Sequence, residues 1–427
     1  MTEPIATGQT ILVVGGGISG MTAALEAAEC GHEVVLVERG PTLGGRTSRL
    51  YRYFPKMCHP TCGLEINLRR LKGNPRVRVI TMAEVVRVSG RRGAYEVALK
   101  MRPRYVNERC TACGDCAQAV ATEVPDPHNY GLGKVKAAYL PSAMAYPQRY
   151  VIDPSIVGTP EADAAKAACK ASAIDLEMQE EIVELNVGAV VWATGWKPYD
   201  AAKIQPYGYG RFANVITSVE FERLADPAGP TGGRLLRPSD GKEAKNVAFI
   251  QCAGSRDENH LRHCSRICCM ASLKQTQYVR EAFGDEARST VYYIDIRAID
   301  RFEDFYQMVQ NDQTVAFIKS KVAWIAQNDE TGNPVLHGVD TEGYHRYETE
   351  HDLVVLAVGM EPEALGVDLP DDVVVDSSGF IEGSGDGGLM GAGSAASPLD
   401  VNRSVQSATG AALRAIQVVR RNATVEA

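Results

Sequence analysis

The apolar run Ile11–Val14 breaks into Gly15-Gly16-Gly17-Ile18-Ser19-Gly20, and no other feature restricts the fold of this chain as much. Glycines at 15, 17 and 20 complete G-x-G-x-x-G directly after a short strand. A helical pattern follows, with Met21, Ala24, Leu25 and Ala28 on its apolar face, and Gly31 closes it. Glu33–Val37 is the next strand, and Glu38 stands at its end, 23 residues after Gly15. Strand, loop, helix, strand and acid are in register for a dinucleotide-binding β–α–β unit. The glycines let backbone approach a pyrophosphate, the helix N-terminus attracts its charge, and the carboxylate accepts hydrogen bonds from a ribose diol. Gly15, Gly17, Ile18, Ser19, Gly20, Glu38 and the adjoining Arg39 are the first candidate binding residues. Taken alone they suit FAD or NAD.

Later segments favour FAD. Pro41-Thr42-Leu43-Gly44-Gly45-Arg46 resembles the second phosphate-contacting segment of two-dinucleotide-binding flavoproteins. Val191-Trp192-Ala193-Thr194-Gly195-Trp196-Lys197-Pro198 resembles their A-T-G-x-x-P turn, and Leu356–Pro362 repeats it. Gly391-Ala392-Gly393-Ser394, with a helix expected from about Val401, resembles the segment that covers the ribityl chain. That family usually has Gly-Asp where this chain has Gly393-Ser394. The resemblance implies an adenine contact near Val85, a position that a plain core valine explains as well. Its candidate cofactor residues are Gly44, Gly45, Arg46, Val85, Ala193, Thr194, Gly195, Gly393 and Ser394.

The alternating stretch Val77–Lys100 predicts β-structure. It is followed by Cys110-Thr111-Ala112-Cys113-Gly114-Asp115-Cys116, the C-x2-C-x2-C spacing of bacterial ferredoxins. A fourth Cys is due at position 120, but that residue is Val120. In two-cluster ferredoxins the fourth Cys of each run serves the other cluster, so its loss erases one site and spares the other. Cys169 stands where the second half would end, although Lys170 replaces the usual Pro. Cys110, Cys113, Cys116 and Cys169 are therefore read as one [4Fe–4S] site. A structural zinc site is the alternative.

Asn246–Val279 begins like a second nucleotide unit, with strand Val247–Gln251, a turn and a helix. The turn carries Cys252-Ala253-Gly254-Ser255 instead of three spaced glycines, and Cys264, Cys268 and Cys269 follow within the same eighteen residues. If the segment is helical, Cys264 and Cys268 share a face. Four thiols here suit a second cluster; buried inert cysteines or zinc are the alternatives. Strand Val291–Ile296 is expected to hold Asp295 inside it and not at a clean end, so weak or no pyridine-nucleotide use is expected. His260 and His263 read as solvated polar residues. The chain has eleven cysteines, and a reducing compartment makes metal ligands or redox thiols of such a set before disulfides.

The pattern I-Q-C-x-G-S-R followed by C-S-x-I-C-C, with the lead-in Pro103-Arg104-Tyr105-Val106 and the interrupted ferredoxin insert, resembles the A subunits of heterodisulfide reductases. Gly44-Gly45-Arg46 and Phe54–Cys62 resemble in particular the branch of that family found in quinone-interacting membrane-bound oxidoreductase complexes of sulfate reducers. The resemblance covers nearly the whole chain. It implies FAD and two [4Fe–4S] clusters, with Cys252, Cys264, Cys268 and Cys269 holding the second. It implies two partners, namely a second flavin/iron–sulfur subunit plus a haem-containing membrane subunit. It further implies a link between the menaquinone pool and adenylylsulfate (APS) reductase. The runner-up is an NAD(P)H- or disulfide-linked flavoprotein reductase with structural metal sites.

Three cysteines remain. Cys58 and Cys62 suit a flavin-proximal redox or ligand pair, a structural pair, or lone surface thiols; Cys30, at the helix end, reads as a small core residue. The formal charge of −8 argues against nucleic acid as a partner. No apolar run reaches the roughly 18–20 residues needed to span a bilayer. The segment MTEPIATGQT shows no secretion signal, so a cytoplasmic protein, peripheral to the membrane through its partners, is expected. The expected fold is α/β, with two nested dinucleotide-binding (Rossmann-like) domains of the thioredoxin/disulfide reductase type and a degenerate ferredoxin-like insert. The expected division is 1–100 for the first part of the FAD domain, 101–180 for the insert, 181–240 for the FAD-domain return and linker, 241–360 for the second Rossmann-like domain, and 361–427 for the FAD-covering segment. The turn-rich stretch 226–241 is expected to mark a domain boundary.

Overall fold

A computed structural model describes residues 6–363 and 367–426. The first half of the N-terminal stretch considered for a secretion signal lies outside the described residues. The chain divides into two compact units. The first comprises Met1–Ser48, Thr61–Trp196 and Pro362–Ala427; the second comprises Arg49–Pro60 and Lys197–Glu361.

The first unit is built on β1 (Ile11–Val14), α1 (Ile18–Glu29) and β2 (Val34–Glu38). β1 lies in a seven-stranded sheet, parallel to β2 on one side and to Ala189–Trp192 on the other. These strands are nearly continuous apolar runs because both faces of the sheet are covered. On one face Met21, Ala24, Leu25 and Ala28 of α1 pack with Ala408, Ala411, Ala412 and Ala415 of the C-terminal helix Val401–Glu426. The small residues let the two helices approach closely. The other face packs on a three-stranded antiparallel sheet formed by Ala83–Arg91, Ala94–Met101 and Glu181–Val187. The insert has its own small core, which includes Val106, Cys116, Val120, Ile152, Ala165 and Ile174. Val120, at the position of the missing ferredoxin ligand, is 3% exposed and packs there.

The second unit contains β3 (Asn246–Ala253), α2 (Cys268–Phe283) and β4 (Arg288–Tyr293). Its five-stranded sheet is parallel throughout, in the order Val215–Thr217, Leu353–Val358, β3, β4, Val315–Lys319. The stretch 226–241 lies inside this unit and not at a boundary. The side chain of Asn214 accepts from Ser239 N, and Leu236 bridges to Glu243, so its turns are stitched back onto the unit.

Segment Arg49–Pro60 belongs to this second unit, although the sequence pattern assigns it to the FAD domain. Buried charge holds it. Lys274 Nζ of α2 lies 2.8 Å from Glu222 Oε1, with side chains 2% and 3% exposed. Lys274 also donates to Arg52 O at 2.7 Å, and Glu222 Oε2 accepts from Tyr51 N at 3.0 Å and from the Tyr278 hydroxyl at 3.1 Å. Arg223 adds a bond to Arg49 O while pairing with buried Asp226. Removing one member of a buried pair strands the other charge at a cost of about 3–5 kcal/mol. Lys274→Met should lower urea stability by that amount and expose the 49–60 segment to limited proteolysis. An unchanged unfolding midpoint would show that Glu222 is not left uncompensated.

Candidate functional site

The glycine loop after β1 is closed by backbone contacts that leave no room for a side chain. A Cβ on Gly20 would lie 1.7 Å from Gly15 O, and one on Gly45 would lie 2.8 Å from Gly17 Cα. Gly44 N donates to Gly16 O at 2.9 Å, so the segment 41–46 lies directly against the loop 15–20. α1 opens at Ile18 with Gly17 as N-cap and no side-chain cap, which leaves its first turn open to an anion. Glu38 accepts from Gly16 N at 2.7 Å and from Gly40 N at 2.6 Å. Burial pushes its carboxyl above the usual range, against the pull of those two bonds. Arg39 is paired with Glu363, and Arg46 donates to Trp196 O with its guanidinium over the Trp196 ring.

The A-T-G turn meets the same loop: Ala193 N donates to Val14 O at 2.7 Å. The Thr194 hydroxyl is buried with no partner among the described residues, and so is Trp192 Nε1. Gly195 and Gly393 both have left-handed backbone, at φ +77° and +61°. A Cβ on Gly393 would strike Ser19 Oγ at 1.9 Å, which brings the C-terminal segment onto the start of α1. Ser394 is buried, and its hydroxyl lies 3.4 Å from both Leu399 O and Ser404 Oγ, turned toward its own segment. The Val85 side chain is a core residue. A cradle of bare backbone with an orphaned hydroxyl at its edge suits a pyrophosphate-bearing cofactor.

In the insert, Cys110, Cys113, Cys116 and Cys169 line one small cavity together with Tyr150 and Ile174. Left-handed backbone at Ala112 (φ +56°) and Gly114 (φ +90°) turns the chain between the first three thiols. Backbone N–H groups of Ala112 and Ala173 donate to Cys110 Sγ at 3.5 Å and to Cys169 Sγ at 3.3 Å. Burial, then the neighbouring thiols, push Cys116 up to about 11.

The second set also comes together. Cys252 lies in a register shift one residue before the end of β3, with φ +55°, and Cys268 and Cys269 open α2. Cys264 lies in the loop before α2, so the expected shared helical face with Cys268 is not formed; the chain turns at Arg266 (φ +66°) before the helix starts. The four sulfurs are still neighbours: burial, then Cys269, Cys252 and Cys264, push the Cys268 thiol well above its ordinary value. Burial is also the main cause that raises Cys269 to about 11. Among the described residues no group of three or more His, Cys, Asp or Glu side chains is placed to hold a metal ion.

Other expectations need correction. β4 ends at Tyr293, so Asp295 lies past the strand and not within it, in an ion pair with Arg256. His260 and His263 are half-buried and not simply solvated. His260 Nδ1 is 2.8 Å from the Tyr199 hydroxyl, and His263 Nε2 is 2.8 Å from Met360 O. Cys30 is exposed and not core, because α1 stops one residue before it and the chain turns away at Gly31 (φ +92°). Cys58 and Cys62 are both exposed and fall in different units. Nothing in the local sequence marks Lys274 or Glu222 as buried, and the R of I-Q-C-x-G-S-R is the only hint of Arg256.

Fold and cradle together define a protein of the two-dinucleotide-domain type. Residues 10–123 match the family described as FAD dependent oxidoreductase. The fold is that of thioredoxin reductase from T. acidophilum (TM-score 0.53, 13% identity, 96% of this chain and 98% of that one) and from Lactococcus lactis (TM-score 0.53, 15% identity, 97% and 99%). By sequence the chain is similar to heterodisulfide reductase A subunits. It is 39% identical over 418 residues to the second A-type iron-sulfur subunit of CoB–CoM heterodisulfide reductase from Methanopyrus kandleri, covering 95% of this chain and 63% of the relative. It is 40% identical over 359 residues to the A-type subunit of the ferredoxin/F(420)H(2)-dependent CoB–CoM heterodisulfide reductase from Methanosarcina acetivorans, covering 83% and 44%. The chain thus spans less than two thirds of the length of these relatives. No helix among the described residues is long and apolar enough to cross a membrane.

Two measurements check the sites. Gly45→Ala forces a side chain into left-handed backbone, which costs about 1–3 kcal/mol, so the purified protein should retain FAD at least about fivefold more weakly. Flavin absorbance after dialysis reads this, and full retention would contradict the cradle. For the metal-free protein, Cys116 and Cys269 stay neutral to about 11 when folded, whereas an unfolded thiol titrates near 8.5. Unfolding then releases protons at high pH, so stability should fall as pH rises from about 9 toward 11. Chemical denaturation at pH 7, 9 and 10.5 would show the trend; a flat profile would mean that these thiols are not buried as neutral groups.

Proposed function

We propose that this chain is a flavin and iron–sulfur electron-transfer component of a multi-subunit oxidoreductase. FAD would lie on Gly15, Gly17, Ile18, Ser19, Gly20, Glu38, Arg39, Gly44, Gly45 and Arg46, with Val85, Ala193, Thr194, Gly195, Gly393 and Ser394 around it. One [4Fe–4S] cluster would be held by Cys110, Cys113, Cys116 and Cys169, and a second by Cys252, Cys264, Cys268 and Cys269. The observation that carries this reading is the grouping of eight of the eleven cysteines into two four-thiol sets. Bound FAD would exchange electrons singly or in pairs, and clusters exchange them singly. The protein's own part is positional. The glycine backbone would admit the cofactor, the uncapped start of α1 would face its charge, and Cys116, Cys268 and Cys269 are buried from water.

The finer reading places the chain at the cytoplasmic face of the membrane, bound to a second flavin/iron–sulfur subunit together with a haem-containing membrane subunit. There it would link menaquinone with adenylylsulfate (APS) reductase in dissimilatory sulfur metabolism. The segments Gly44–Arg46 and Phe54–Cys62 support it by their resemblance to that branch of the family. NADH is not expected to bleach the flavin rapidly, since Cys252 occupies the phosphate-loop position and Asp295 is held by Arg256.

Iron, acid-labile sulfide and flavin analysis of anaerobically purified protein should give about eight irons per FAD. About four would mean that one set is misread. Stoichiometric zinc without iron would replace this reading with the metal-stabilised reductase. Co-purification of haem with the tagged chain from native membranes, with menaquinol-dependent reduction of adenylylsulfate, tests the finer reading; its absence from an intact complex would remove it.

A further inference from the structure

We propose that Arg256 is a potential-tuning residue of the second thiol set, clamped onto Cys252 by Asp295. The proposal rests on reading Cys252, Cys264, Cys268 and Cys269 as a cluster site. The Arg256 guanidinium lies beside the Cys252 sulfur and forms an ion pair with Asp295 at 2.5 Å. The clamp is built from unusual backbone. Cys252 and Arg256 are both non-glycine residues in the left-handed region, at φ +55° and +54°, within five residues. Strained backbone of this kind persists only where the surroundings enforce it, and it clusters at functional sites. Here the surroundings are specific: Arg256 N donates to His263 O at 3.1 Å, and Ser255 Oγ lies 2.8 Å from Ser265 Oγ, fastening the loop at both sides of Arg256.

The loop after β4 completes the arrangement. The Asp295 carboxylate orients the guanidinium, and Asp295 O accepts from Cys269 Sγ at 3.7 Å. Asp295 thus touches both the guanidinium beside Cys252 and a second thiol of the set. In a pyridine-nucleotide unit an acid in this region would face a ribose. Here it aims a cation at a sulfur.

A guanidinium on a ligand sulfur stabilises added negative charge, and hydrogen bonds to sulfur are among the levers that set cluster potentials. Reduction adds one electron to the cluster and no proton; in a titration dithionite supplies the electron. Neutralising Arg256 should therefore disfavour the reduced state. Arg256 is 23% exposed and is not a thiol ligand, so its removal does not empty the site.

The experiment is an anaerobic redox titration of the full chain followed by low-temperature EPR, with iron and flavin counted on each sample. Cys252→Ser identifies which signal belongs to this set. Arg256→Gln should lower the reduced-to-oxidised ratio of that signal about tenfold at fixed potential, a midpoint shift of about 59 mV for one electron. Arg256→Lys should restore most of it, which a packing role alone would not. An unmoved midpoint with iron intact, or Arg256→Lys as low as Arg256→Gln, would overturn the proposal. If Cys252→Ser removes no cluster signal, the cluster reading itself fails, and that result is distinct from an intact cluster with an unmoved midpoint.

Discussion

α2 is the element on which the second unit depends. Its N-terminus is Cys268-Cys269, and five residues beyond Cys269 comes Lys274, buried against Glu222. In a low-dielectric interior neither charge can exist without the other, so the pair dictates what else packs there. Glu222 spends its remaining hydrogen-bonding capacity on Tyr51 N, Gln275 and Tyr278, and Lys274 donates a hydrogen bond to Arg52 O. The result ties two separate stretches of chain to one helix. Any movement of α2 would shift two thiols at one end and the 49–60 segment along its flank.

The two thiol sets solve the same problem with different materials. Neutral thiols pack as small apolar groups, whereas thiolates in the same place need compensation. The insert answers with short loops whose backbone N–H groups point at Cys110 and Cys169. The second unit answers with a helix N-terminus, a backbone N–H at Cys264 and an arginine at Cys252. A charged donor perturbs a redox centre more strongly than neutral amides do. The two proposed clusters should differ in potential accordingly.

Where local pattern and tertiary demand agree, the sequence is easily read. β1, α1 and β2 carry strand and helix periodicity, glycines that only close backbone packing requires, and a terminal acid, so the cradle is legible residue by residue. Cys110, Cys113 and Cys116 are legible because their spacing alone wraps a cube face, and Val120 marks the erased site by packing into the core of the insert. The second thiol set is visible as a cluster of residues, but its geometry is not. Cys264 is held by a left-handed turn at Arg266 that no periodicity announces. The allegiance of Arg49–Pro60 is decided by Lys274 and Glu222, more than 150 residues away in sequence, and a charge in a helical stretch reads as solvated until its burial is seen. Asp295 reads as an acid within a strand, to be weighed as a ribose ligand, whereas its partner is Arg256 in a distant loop.

The second unit also shows why a nucleotide fold can be turned to another use with few changes. A strand followed by a tight turn and a helix N-terminus concentrates positive potential at one point, whatever anion is offered. Glycines at that turn admit a pyrophosphate because they leave space. Cysteines at the same place fill the space and supply the anion themselves, and a helix N-terminus stabilises a thiolate by the same dipole. The parallel sheet and α2 need not change. What must change is the turn, and it does so at Cys252 and Arg256, where side chains sit on backbone that a phosphate loop would assign to glycine.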